Sequence, residues 1–274
     1  MPAGVIVGGI SRTFLSVVTG MVASAQRFAP PHWGIHIYDL IGDLRPGDRA
    51  RMSKWCRVQV HRMQRRHDPR FLTNSDWKAE IIGEHLAALP EGGIVVYADA
   101  SQRFLKPFSV AQMRQAQAIG VMGRTTVGPI AKYTHPDTIR ALSALAPQVV
   151  THMDIQDYTH APMICGCISF WAAGALTREL ILPPFSACSQ NQSCIKPKGA
   201  TGFKQTGGGH KKCQPGYSGK CHRGDQSVLS TILYELYNLR ASSMGVPYVD
   251  PKASAQYATR HWDVRGPEPV RCHQ

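Results

Sequence analysis

The apolar and polar positions of the chain alternate with two periods, and everything else can be placed around the stretch Gly92-Gly93-Ile94-Val95-Val96-Tyr97-Ala98-Asp99-Ala100-Ser101. Its apolar run enters through two glycines and breaks at once into small polar residues. That pattern predicts a strand buried on both faces of a parallel sheet, ending at its carboxyl edge. Ligands of open α/β sheets bind at that edge. Asp99, with the Ser101 hydroxyl two residues on, is placed there to hold a divalent cation or a ribose. The same carboxylate would serve equally well to cap a turn or a helix.

The chain before it reads as a β-α-β opening. Residues 4–9 form a strand, and residues 13–28 put Phe14, Leu15, Val17, Val18, Met21 and Val22 on one helical face. Ser11 or Thr13 would cap that helix, and Pro30-Pro31 ends it. Residues 33–40 alternate into a second strand that closes on Asp39. Gly8 and Gly9 would let backbone approach a phosphate or base, although a tight turn needs glycine on its own account. A short helix over 45–55 and a third strand over 56–60 follow, then a basic stretch from His61 to Arg70. Asn74-Ser75-Asp76 caps a helix over 77–89 with Ile81, Ile82, Leu86 and Leu89 on one face. Lys78 falls in its first turn, where the helix dipole opposes a cation, so an anionic partner is expected for it.

Beyond Arg103 the pattern predicts helices over 110–118 and 138–145, a short strand over 119–122 and a strand over 163–171 with a glycine at its centre. A helical stretch then runs to Leu182, closed by Pro183-Pro184. Residues 186–222 lack periodicity and are expected to be a long loop. They lead into an amphipathic helix over 225–239, with Asp225 at its start, where a carboxylate caps well. The remaining tail has too little periodicity to place.

With 274 residues, 43% of them hydrophobic, the chain is long enough to bury a substantial core. No apolar run approaches the roughly 20 residues that cross a bilayer, and no signal-peptide pattern opens the sequence. A net charge of +13 calls for anionic partners. The basic residues are scattered over 45–70 and 196–223, without an aromatic sheet face, recognition helix or zinc module, so nucleic acid is not an expected partner. Cys56, Cys165 and Cys167 lie in or beside strand-like runs and read as free buried thiols. Cys188, Cys194, Cys213 and Cys221 are separated by five, eighteen and seven residues, which does not match zinc modules. Local disulfides bracing the loop are expected ahead of a metal site, with three pairings open. They would imply an oxidising compartment.

The segments Val7-Gly8-Gly9-Ile10-Ser11, Ile37-Tyr38-Asp39-Leu40, Trp77-Lys78-Ala79, Asp99-Ala100-Ser101-Gln102-Arg103-Phe104 and Cys221-His222-Arg223-Gly224-Asp225-Gln226-Ser227 occur in this order. Together they resemble a group of eukaryotic glycosyltransferase-like proteins with the GT-A nucleotide-sugar fold, over most of the chain. The resemblance implies a single α/β domain over 1–274, with a mixed, mainly parallel Rossmann-type sheet flanked by helices. Residues 1–104 would be its nucleotide-binding half and 105–240 its acceptor side with the cysteine-braced loop, followed by a tail over 241–274. It further implies transfer of a hexosyl or pentosyl group from a nucleoside-diphosphate sugar, a UDP-sugar foremost, to a glycan or glycoprotein acceptor. The setting would be the secretory lumen, the Golgi in particular, with any membrane attachment through a segment outside this chain.

By the same resemblance Gly8, Gly9, Ser11, Arg12, Asp39, Lys78, Asp99 and Arg103 would bind the nucleotide-sugar. The D-x-D element that holds Mn²⁺ in such enzymes is here Asp99-Ala100-Ser101. A hydroxyl is a far weaker ligand for a hard cation than a carboxylate. A divalent ion would therefore rest on Asp99, Ser101 and a distant histidine, His261, or else Lys78 or Arg103 would take charge of the leaving diphosphate. Asp225 is the expected catalytic carboxylate and Gln226 a neighbouring donor contact. A helix start lowers an aspartate's pKa, which suits Asp225 to a sugar hydroxyl rather than to a base's role. The departure from D-x-D also supports a second function, a catalytically silent domain that binds glycans or scaffolds a partner.

Overall fold

In the computed structural model, which describes residues 1–63, 76–200, 222–244, 258–260 and 268–272, the opening apolar runs lie side by side. The first half comprises β1 (Gly4–Ile10), α1 (Leu15–Phe28), β2 (Gly34–Asp39), α2 (Pro46–Met52), β3 (Val58–Arg62), α3 (Trp77–Ala88), β4 (Ile94–Ala98) and β5 (Gln102–Phe104). It continues through α4 (Val110–Ile119), β6 (Val121–Pro129), α5 (Ile130–Tyr133), α6 (Pro136–Leu145) and β7 (Pro162–Ala172). The rest is α7 (Leu182–Gln190), α8 (Gln192–Ile195), α9 (Gly224–Met244) and β8 (Ala258–Arg260), which pairs with β5.

Six strands form one sheet in the order β3-β2-β1-β4-β7-β6. The first four are mutually parallel, and β7 runs antiparallel to both β4 and β6. This is the mixed, mainly parallel, helix-flanked sheet expected from the sequence. The chain moves outward from β1 through β2 and β3, then returns to the other side of β1 for β4. The carboxyl ends of β1 and β4 therefore form the topological switch point, where open α/β sheets bind ligands.

Both faces of β4 are buried, which is why its run shows no polar alternation. Ile94, Val96 and Ala98 pack with Ile6, Met21, Val22, Met113 and Ala116, against α1 and α4. Val95 and Tyr97 pack with Trp77, Ile81, Phe185, Val228 and Ile232, against α3, α7 and α9. Gly8 and Gly9 are accounted for inside these layers. A Cβ on Gly8 would lie 2.7 Å from the Ala98 carbonyl oxygen, and one on Gly9 would lie 2.5 Å from the Trp77 ring. Both glycines thus have a packing role.

Several expectations are corrected. Residues 186–222 do not begin as a loop, because α7 and α8 occupy their first part. Pro183 and Pro184 open α7 rather than closing the preceding helix, since proline lacks an N–H that the first turn does not use. The same missing donors accompany a π-helical stretch over Leu176–Ile181. Cys56, Cys165 and Cys167 are not free thiols, for disulfides join Cys56 to Cys272 and Cys165 to Cys167. Cys188 pairs with Cys194, as a local brace. Cys213 and Cys221 lie outside the described residues, as do His261, Asn74 and Ser75.

At the edge of the sheet, His36 of β2, His61 of β3 and His85 of α3 gather around Tyr38. His36 Nδ1 and His61 Nε2 share a hydrogen bond of 2.8 Å, and Tyr38 and His85 share one of 2.9 Å. Burial, then the neighbouring imidazoles, lowers the pKa of His36 from 6.5 to about 4, and His85 follows for the same reasons.

Two outcomes are expected. Both histidines are neutral in the folded state between pH 6.5 and about 4, whereas the unfolded chain takes up protons there. Their contribution is thus intact above that window and lost as pH falls through it, so melting temperatures followed by calorimetry decline from pH 6.5 downward. Gly9→Ala presses a methyl into the Trp77 ring and is expected to cost about 1–3 kcal/mol by urea denaturation.

Candidate functional site

Three charged side chains converge on the switch point from separate elements. Asp99 is the first residue after β4, and its N–H donates to the Cys167 carbonyl at 2.9 Å, fixing the chain as it leaves the sheet. Lys78 comes from the first turn of α3, which Asp76 caps by accepting the Trp77 N–H. Asp225 comes from the first turn of α9, just after Gly224, whose φ of 28° lies in the left-handed region. The Lys78 ammonium donates to Asp225 Oδ2 at 2.8 Å and to the Gly166 carbonyl at 2.7 Å, and lies 3.5 Å from Asp99 Oδ1. The Tyr97 ring centre is 4.8 Å from the ammonium, and the Tyr97 hydroxyl donates to Asp99 Oδ1 at 2.5 Å. The lysine that the α3 dipole disfavours has found its anions.

The Lys78 and Asp225 side chains are only 8% and 11% exposed, whereas that of Asp99 is 26% exposed. Burial works against the ammonium, but the two carboxylates outweigh it and raise the Lys78 pKa. Burial is also the largest influence on Asp225 and raises its pKa against the pull of Lys78. The depression expected from the helix start is reversed. One ammonium faces two carboxylates, which leaves the site with excess negative charge, and its outlet to solvent is Asp99. That carboxylate can accept hydrogen bonds from ribose or sugar hydroxyls, while Asp225 is a fixed acceptor tied to the lysine.

Of the expected metal ligands, Asp99 and Ser101 lie among the described residues and His261 does not. Ser101 is buried at 2% exposure, and a dication on Asp99 would stand beside the Lys78 ammonium 3.5 Å away. Among the described residues, no group of three or more His, Cys, Asp or Glu side chains is arranged to hold a metal ion.

Three other expected site residues, Asp39, Arg103 and Ser11, are buried. The Asp39 side chain is fully buried, accepting the N–H groups of Gly42 at 2.9 Å and Asp43 at 3.2 Å and pairing with Arg49. It braces the loop after β2. Arg103 lies against α1 where Gly20 leaves room, donating to the carbonyls of Val17, Ala100 and Gln102. Its guanidinium anchors the turn that carries Asp99. Ser11 is buried and bonded to the Thr13 hydroxyl at 2.8 Å. Arg12 stays at the surface, with its N–H on Asp43 and its side chain 4.0 Å from Asp48. Half-buried Gln226 accepts from Arg223 at 3.2 Å, beside Asp225.

The sequence reading missed Gly166, Tyr97 and His222. A side chain on Gly166 would collide with Asp225 and Gln226, so the glycine noted at the centre of MICGCISFW was the available signal. His222 donates from Nε2 to the Ile195 carbonyl at 2.7 Å and accepts the His135 N–H at 3.2 Å, locking the entry of α9. Burial keeps it neutral, with its pKa lowered to about 4. A groove of about 500 Å³ between α3 and α7 and another of about 740 Å³ beside Trp33 and Trp55 are lined by none of the three charged residues.

No protein-family model matches the chain, and no curated protein matches it. Among solved structures it is similar to the apo structure of the bifunctional glycosyltransferase WbbM, with a TM-score of 0.41 at 9% identity, over 68% of this chain and 35% of that one. This chain thus spans about a third of that neighbour's length, 35%. A likeness this distant says nothing of the reaction.

Lys78→Met leaves Asp225 buried without its counter-charge and is expected to lower the unfolding free energy by about 3–5 kcal/mol. Adding Asp225→Leu recovers part of that loss. A double-mutant cycle by chemical denaturation should return a coupling of about 0.5–3 kcal/mol.

Proposed function

We propose that the chain is a nucleotide-sugar-dependent glycosyltransferase whose donor lies over the carboxyl ends of β1 and β4. The observation that carries this reading is the buried Lys78 ammonium, held between Asp99 at the end of the parallel strand and Asp225 at the start of α9. Glycosyl transfer needs the developing diphosphate charge compensated, and the acceptor hydroxyl aligned with the anomeric carbon. Asp99, the carboxylate with access to solvent, binds the ribose or sugar hydroxyls of the donor. Lys78 keeps both carboxylates oriented. Asp225, with Gln226 beside it, holds a sugar hydroxyl. The disulfides Cys56–Cys272, Cys165–Cys167 and Cys188–Cys194 favour an oxidising setting such as the secretory lumen. No helix among the described residues is long and apolar enough to cross a membrane.

The mutual neutralisation of Lys78 and Asp225, both nearly buried, favours a second reading, a silent domain of the same architecture that binds glycans. Turnover separates the two. A thermal-shift screen of nucleoside diphosphates and their sugars is expected to single out one base, UDP foremost, with about 2.7 kcal/mol of stabilisation at a hundredfold excess over Kd. Asp99→Ala should weaken that binding on the order of tenfold to a hundredfold, the worth of hydrogen bonds to a charged group. Sugar-nucleotide turnover should persist in EDTA. An absolute Mn²⁺ requirement would return the cation's role to a metal on Asp99, and selective binding without turnover on any acceptor would establish the silent reading.

A further inference from the structure

The segment Cys165-Gly166-Cys167 touches every charged member of the site. Its middle carbonyl accepts from Lys78, the Cys167 carbonyl accepts the Asp99 N–H, and the Gly166 Cα packs directly against Asp225 and Gln226. The strand is irregular here. On the β6 side, Gly123 pairs with Ser169 and Thr125 with Ile164, so Cys165 to Ile168 face the single residue Arg124. This bulge brings the Cα atoms of Cys165 and Cys167 to 5.2 Å, against about 6.6 Å for alternate residues of a regular strand. The disulfide thus closes over a backbone shape that the site needs.

Of the three bridges among the described residues this one spans the shortest stretch, with a sequence separation of 2 against 6 and 216. The conformational freedom it removes from the unfolded chain is correspondingly the smallest. Cys165 is half-buried while Cys167 is 4% exposed, so the outer sulfur is the one open to attack.

We infer that Cys165–Cys167 is a thiol-exchange site that sets the state of the Lys78 cluster: oxidised, it holds Gly166 onto the ammonium, and reduced by a small thiol such as glutathione, it lets the bulge relax and releases that contact. A thiolate attacks Cys165 Sγ, the protein S–S bond breaks, and Cys167 Sγ leaves as a thiolate that takes a proton. A second thiolate attacks the mixed disulfide, forming the external disulfide and freeing Cys165. Two thiols are oxidised by one electron each, and the protein disulfide gains two.

The inference rests on the reading of this cluster as the functional site, but its first readout is chemical. The full chain is equilibrated in graded reduced and oxidised glutathione, then differentially alkylated and mapped by mass spectrometry. In parallel, Lys78 is footprinted with an amine-acylating reagent. Cys165 and Cys167 are expected to open at a less reducing ratio than the other two bridges. Lys78 acylation should rise over the same range on the order of tenfold, as one hydrogen bond to the ammonium is lost. Opening in step with the other bridges overturns the inference, and so does reduction that leaves Lys78 protected. The double variant Cys165→Ser with Cys167→Ser should show the raised acylation at every glutathione ratio, and the wild-type titration decides alone if that variant does not fold. If no nucleotide binds at any redox state while Lys78 still responds, the transferase reading fails and the exchange site stands.

Discussion

A single ammonium organises the functional end of this molecule. Lys78 reaches from α3 to the end of β4, the bulge of β7 and the start of α9, with a polar contact or charge on each. Ion pairs this deep contribute little net stability, because desolvation cancels much of the attraction. What they supply is a fixed arrangement. Two carboxylates that would repel each other in a buried cleft are kept close, and only one of them is left looking outward.

The surroundings serve that arrangement. Asp76 caps the helix that delivers the lysine, Arg103 ties the turn after Asp99 to α1, and His222 pins the entry of α9. Gly20 and Gly166 are absences with a purpose, since each leaves space that a charged group occupies. These supports come from distant parts of the sequence, so the site depends on the sheet being complete.

Much of this was readable in the chain. The apolar run of β4 announced a strand covered on both faces, and the neighbouring periodicities placed α1, α3 and α9. Lys78 in a first turn violated the dipole preference, and that violation pointed correctly to anionic partners. The inward residues were not readable, because their partners are set by tertiary contact: Arg49 for Asp39, and the missing side chain of Gly20 for Arg103. Pro183-Pro184 marks a helix boundary without saying on which side the helix lies. The CGC bridge was not legible because alternate residues of a regular strand stand about 6.6 Å apart, at the long end of the disulfide range, and the bulge shortens this to 5.2 Å.

The staple between Cys56 and Cys272 has a consequence for the denatured molecule. With a sequence separation of 216 between its ends, it turns the unfolded chain into a large ring instead of an open thread. In the loop-entropy picture such closure is worth about 5 kcal/mol at room temperature. The ring also stays more compact than a free coil, so urea finds less new surface to solvate, and the denaturation slope is shallow for a chain of this size.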